Sequence, residues 1–280
     1  MVKTRIVVGA DGSAGAVEAV RWAAIETQLR GVDLRIVTAY HRQSTSAAAA
    51  ASAAAAASAA SAASAGEEAA AILHAAAIQA RAVAPDIELR VMALPGYAVP
   101  VLLHAAEEAA LLVVGSRPDR GLPGLPHGSV RSQVATRARG TVVVVRGRRN
   151  PDTGPVVVGV GEDASAAPVV GRAFAEADLR GAPLLAVTAQ DSARRPGSAA
   201  ENALGGAPDS VLDPWRARFP GVTANREFTG GDPGKVLVER SQQAQLVIVG
   251  PRRHGYEGVL LGATGSRLLE RSACPVLVAR

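Results

Sequence analysis

Along this chain, short runs of β-branched residues alternate with longer stretches whose apolar positions recur every three to four residues. The short runs predict strands near 5–9, 33–39, 86–94, 111–115 and 141–146, and again near 155–160, 183–189, 222–229, 245–250 and 275–279. They are apolar at consecutive positions, as in strands buried on both faces, so a parallel sheet covered by helices is expected. Helices fill the gaps. In the first, Ala16, Val20, Ala23 and Ala24 with Trp22 and Ile25 form the apolar face, leaving Glu18, Arg21 and Glu26 outside, and Arg30-Gly31 marks the C-terminal cap. Five parallel strands with right-handed crossovers make a doubly wound, Rossmann-like α/β sheet whose order reverses once. Ligands of such sheets sit at the strand carboxyl ends beside that reversal.

The plan is written twice. Ile6-Val7-Val8-Gly9 recurs as Val156-Val157-Val158-Gly159 at an offset of 150, and Leu111 to Gly115 recurs as Leu246 to Gly250 at an offset of 135. The missing 15 residues lie between positions 39 and 96, where 46–65 is almost pure alanine and serine. Alanine favours helix, so part of that tract can be helical, but without large side chains it reads as a mobile insertion. Gly147 to Gly154 is the linker, giving two domains, 1–147 and 155–280.

Composition narrows the function. The 280 residues are 48% hydrophobic and 20% charged, which suits two globular domains, and no apolar run approaches the roughly 18 residues of a membrane helix. The opening residues carry no export signal, so a cytoplasmic protein is expected. The net charge of +5 is all N-terminal: 16 basic face 11 acidic residues before position 150, and 14 face 14 after it. Eight arginines and Asp119 give +7 over residues 117–149, a local field rather than a basic protein. With 3% aromatics there is no stacking platform for bases, so nucleic acid is not an expected partner. The one cysteine, Cys274, reads as an inert buried residue.

Two loops carry the candidate chemistry. After the first strand, Gly9-Ala10-Asp11-Gly12-Ser13 presents an acid that can accept hydrogen bonds from a base or ribose, or that with Ser13 merely caps the next helix. After the fourth, residues 115–130 hold Gly115, Arg117, Pro118, Arg120, Gly128, Ser129 and Val130. Glycines let backbone approach an oxyanion, and Gly128-Ser129 opening a helix offers amide donors to phosphate, with Arg117 and Arg120 as countercharge. No Gly-x4-Gly-Lys phosphate loop, nucleophile elbow or strict dinucleotide fingerprint is present. His41, His74, His104, His127 and His254 lack metal-ligand spacing, so no metal site is expected. Glu67-Glu68 and Glu107-Glu108 read as solvated faces, and no catalytic residue is assigned.

Together, the paired repeat, the Val-Val-Gly-x-Asp-Gly-Ser opening, the glycine loop after strand four and the Val-rich closing strand resemble the universal stress protein family in its tandem form. The resemblance spans essentially the whole chain. It implies two tandem five-stranded α/β sandwiches of the adenine nucleotide alpha hydrolase-like type, strand order 3-2-1-4-5. It also implies ATP, with any Mg2+ accompanying it, as the ligand. The family's Gly-x2-Gly-x9-Gly-Ser/Thr pattern falls on Gly115, position 118 and Gly128-Ser129, but position 118 is proline, which fixes φ and removes an amide donor. By the same resemblance Asp11 contacts the adenosine portion, Ala39 lies near the base and Val130 follows the phosphate contact.

The second copy departs further: Gly161 stands for Asp11, Arg253 for position 118, Ala263 for Ser129, and the loop from Gly250 to Gly262 is one residue short. It is expected not to bind ATP in the family's manner, though Arg252, Arg253 and His254 leave room for another anion. The closing strands Val142 to Val145 and Val276 to Ala279 would be exposed edges alone, so the halves are expected to join there as an intramolecular pseudo-dimer, with a further homodimer open. The leading reading is a cytoplasmic stress-response protein whose N-terminal domain binds adenine nucleotide and signals to an unknown protein partner, and which is not an enzyme. The rival is an interaction or scaffold protein in which Pro118 has abolished nucleotide binding. A slow ATP hydrolase lacks a general base beyond Asp11.

Overall fold

The computed structural model describes residues 5–40, 53–116, 130–147, 153–161, 166–190, 211–250, 252–253 and 259–280. It divides into two compact units, Met1–Gly140 and Thr141–Arg280.

In the first unit β1 (Arg5–Gly9), β2 (Asp33–Tyr40), β3 (Leu89–Pro95) and β4 (Leu111–Gly115) form a parallel sheet in the order β3-β2-β1-β4. Ile6, Val7 and Val8 are all fully buried, so consecutive side chains on opposite faces are both covered. The helices α1 (Ala14–Arg30), α2 (Ala53–Val83), α3 (Ala98–Ala105) and α4 (Val130–Arg137) supply the cover.

Helix α1 begins where Ser13 Oγ accepts the Ala16 amide at 3.2 Å, and ends at Gly31, whose φ of 63° takes the left-handed turn predicted for it. One expectation fails here. Glu26, read as outward-facing, is only 3% exposed, and its carboxylate takes the guanidinium of Arg30 one turn on. An acid on the inner face is tolerated because the ion pair satisfies it, which apolar periodicity cannot foresee. Helix α2 starts at Ala53, so the alanine tract is helical from there on, as alanine's propensity allows.

The second unit repeats the frame with β6 (Val156–Gly159), α5 (Ala166–Arg180), β7 (Leu184–Gln190), α6 (Asp213–Arg218), β8 (Ala224–Gly230), α7 (Pro233–Arg240), β9 (Leu246–Val249), α8 (Ala263–Arg271) and β12 (Val276–Val278). Its parallel strands run β12-β9-β6-β7-β8, which in the copy's own numbering is 5-4-1-2-3. Here the buried acid recurs as Glu176, between Arg172 and Arg180. Short α6 places Trp215 against Gly171 of α5, where a Cβ would stand 2.3 Å from the indole. The strand β5 (Val142–Val145), which the repeat assigns to the first copy, falls in this unit and runs antiparallel to β12, Val276 facing Val144 and Val278 facing Val142. Cys274 is buried. Among the described residues no helix is long and apolar enough to cross a membrane.

Candidate functional site

The carboxyl ends of β1, β2 and β4 meet at one rim of the first sheet. β1 lies between β2 and β4, the chain having built toward β3 on one side before crossing to β4 on the other, so this rim is the reversal point. Register fixes the level of each end. Gly9 pairs with Val37, the Ala10 amide donates to the Val37 carbonyl at 2.9 Å, and the buried Thr38 hydroxyl donates to the Ala10 carbonyl at 2.9 Å. The turn after β1 is thereby tied to β2 before Asp11 is reached.

Asp11 is exposed, and its Oδ1 accepts the Ser13 amide at 3.1 Å. Gly12 has a φ of 75°, a conformation L side chains rarely adopt, and that turn lets Ser13 cap α1 while Asp11 remains at the rim. Ser13 thus caps the helix and Asp11 holds the turn, the local roles that the capping alternative expects. Ile72 of α2 packs against Gly12, with 3.4 Å to an ideal Cβ. Ala39, near the end of β2, is half-buried and pairs with Leu94.

Gly115 closes β4 at the same rim, and a Cβ there would sit 2.2 Å from the Gly15 carbonyl oxygen of α1. Its lack of a side chain is thus required by backbone packing of strand on helix, whatever ligand is present. Val130 opens α4 and is 39% exposed. Arg117, Pro118, Arg120, Gly128 and Ser129 lie outside the described residues. The structure accordingly brings Asp11, Ala39 and Gly115 to one rim; the phosphate half of the expected site is not among what it describes.

The equivalent rim of the second unit is built differently. The Val160 amide again donates to a carbonyl, that of Val187, but exposed Gly161 follows where the first unit has Asp11. The buried Thr188 hydroxyl, counterpart of Thr38, has no hydrogen-bond partner among the described residues. In the loop after β9, β10 (Arg252–Arg253) pairs antiparallel with β11 (Val259–Leu260). Sequence reasoning missed that ladder, for two-residue strands carry too short a pattern to read. Gly262 caps α8 without a side-chain bond.

A doubly wound α/β unit occurring twice defines a tandem doubly wound protein. The universal stress protein family model matches residues 3–146 and again 153–280. The universal stress protein Rv2623 of Mycobacterium tuberculosis is 32% identical over 290 residues, covering 98% of this chain and 96% of the relative. Rv1996, also a universal stress protein of that organism, is 29% identical over 303 residues, covering 98% and 94%. The crystal structure of a universal stress protein from Archaeoglobus fulgidus superposes with a TM-score of 0.75 at 17% identity, covering 100% of this chain and 99% of that one. The chain belongs to the universal stress protein family and carries its domain twice.

Proposed function

We propose that the first unit is a regulatory adenine-nucleotide module of a cytoplasmic stress-response protein, and that the second unit serves structure and pairing. The observation that carries this reading is a contrast between two matching strand ends, exposed Asp11 following the first and exposed Gly161 the second. A carboxylate there accepts hydrogen bonds from a ribose hydroxyl or an adenine amino group; a glycine offers no side chain to do so. The resemblance to the family supplies the remaining roles. Ala39 borders the base, the backbone of Gly128 and Ser129 receives phosphate, Val130 follows that contact, and Arg117 and Arg120 balance the charge. In the second unit the residues facing that task include a backbone ladder, whose amides and carbonyls pair with each other. The module binds ATP and exposes the bound state to a protein partner; catalysis is not part of the reading.

Thermal unfolding of the full chain tests it. Millimolar ATP should raise the midpoint, by an amount corresponding to about 2.7 kcal/mol at a hundredfold excess over Kd. Asp11→Ala should abolish the rise and Pro118→Gly should enlarge it. No rise in the parent chain would instead favour a scaffold that binds no nucleotide.

A further inference from the structure

A cavity lies at the opposite end of the first sheet from that rim, at the amino ends of β1, β2 and β3. It measures about 70 Å3 and is lined by Arg5, Asp33, Leu34, Arg35 and Arg90. Register explains the clustering. Arg5 pairs with Asp33, Arg35 pairs with Arg90, and Arg35 follows Asp33 by two, so all four charged side chains project from one face. That is the face where α3 covers Gly9 through Leu102; eight residues long, α3 leaves the lower part of the face to these charges.

Arg35 Nε is shut off from solvent without a hydrogen-bond partner among the described residues. Burial holds this guanidinium below the ordinary arginine range, and Arg5 and Arg90 push it the same way, while Glu108 and Asp33 oppose them. Cations gathered around an unpaired buried donor describe a place that gains from an anion.

The second copy is an internal control. At the equivalent positions, Arg5 becomes Pro155, Asp33 becomes Pro183, Arg35 becomes Leu185, Arg90 becomes Asn225 and Glu108 becomes Gln243, with the strand pairing unchanged. The fold therefore does not need these charges.

We propose that Arg5, Arg35 and Arg90 form a binding site for inorganic hydrogen phosphate, separate from the nucleotide rim. Three guanidiniums approaching from different strands suit a compact oxyanion with several acceptor oxygens. A cavity of this size suits a compact ion. Asp33 supplies the selectivity. As a carboxylate it accepts the O–H of hydrogen phosphate, whereas it repels sulfate, which has no proton to give.

Titration calorimetry of the full chain with phosphate, at ionic strength held constant with chloride, tests this. Saturable binding is expected, weakened about tenfold or more in Arg35→Leu and in Arg90→Asn, which install the second copy's residues. It should persist in Asp11→Ala, and sulfate should bind at least about tenfold more weakly than phosphate. Circular dichroism verifies that both variants are folded, and Arg90, being exposed, provides the safer one. The proposal is overturned by absent saturation, by binding that survives both substitutions in folded protein, by binding lost in Asp11→Ala, or by equal affinity for sulfate.

Discussion

Two acids at the same place in two helices give the clearest residue-scale lesson. Glu26 and Glu176 are nearly inaccessible, and each takes an arginine four residues on. Removing one carboxylate leaves a guanidinium partly buried without its partner, so Glu26→Ala and Glu176→Ala should each lower stability by about 3 kcal/mol in urea unfolding. Glu227 behaves differently, because it is partly exposed. Its bidentate pair with Arg240, at 2.6 to 3.2 Å, holds its carboxyl below the usual glutamate range, and Arg240 is raised in turn. Between the folded and unfolded pKa values the unfolded chain binds the extra proton. The pair's contribution is thus whole above the unfolded value of about 4.3 and is lost as pH falls through the folded one. Glu227→Gln should cost at most about 1 kcal/mol at neutral pH, and the gap in melting midpoint from the parent should close toward pH 3.

At the scale of elements, the strands were legible and their decorations were not. Runs such as Val142 to Val145 and Leu246 to Val249 are apolar at every position, which only a sheet covered on both faces rewards, and the observed strands follow those runs closely. The start of α2 inside the alanine tract was half legible, since propensity favours helix there while no large side chain declares a packed face. Buried Glu26 broke the period, and the β10 and β11 ladder had no period to show. Asp11 and its turn could be read from the residues, but the reason for Gly115 could not: it lies in a helix a hundred residues earlier. Because Gly15 occupies the space a Cβ would need, Gly115→Ala should cost about 1–3 kcal/mol of stability in thermal unfolding without any nucleotide present. An unchanged midpoint would return Gly115 to a purely ligand-facing role.

Across the whole chain, one frame has been used twice and furnished once. Both units keep the same strand order, the same left-handed glycine after the first helix, Gly31 and Gly181, and the same buried glutamate. They part at the rim where Asp11 answers to Gly161, and at the opposite end where three arginines answer to proline, leucine and asparagine. Duplication preserved what folding requires and let the rest diverge. The most direct measurement is the stoichiometry of ATP binding to the full chain by titration calorimetry. One nucleotide per chain, falling to none in Asp11→Ala, is the predicted result; two per chain, or one that survives Asp11→Ala, would contradict the division of labour between the units.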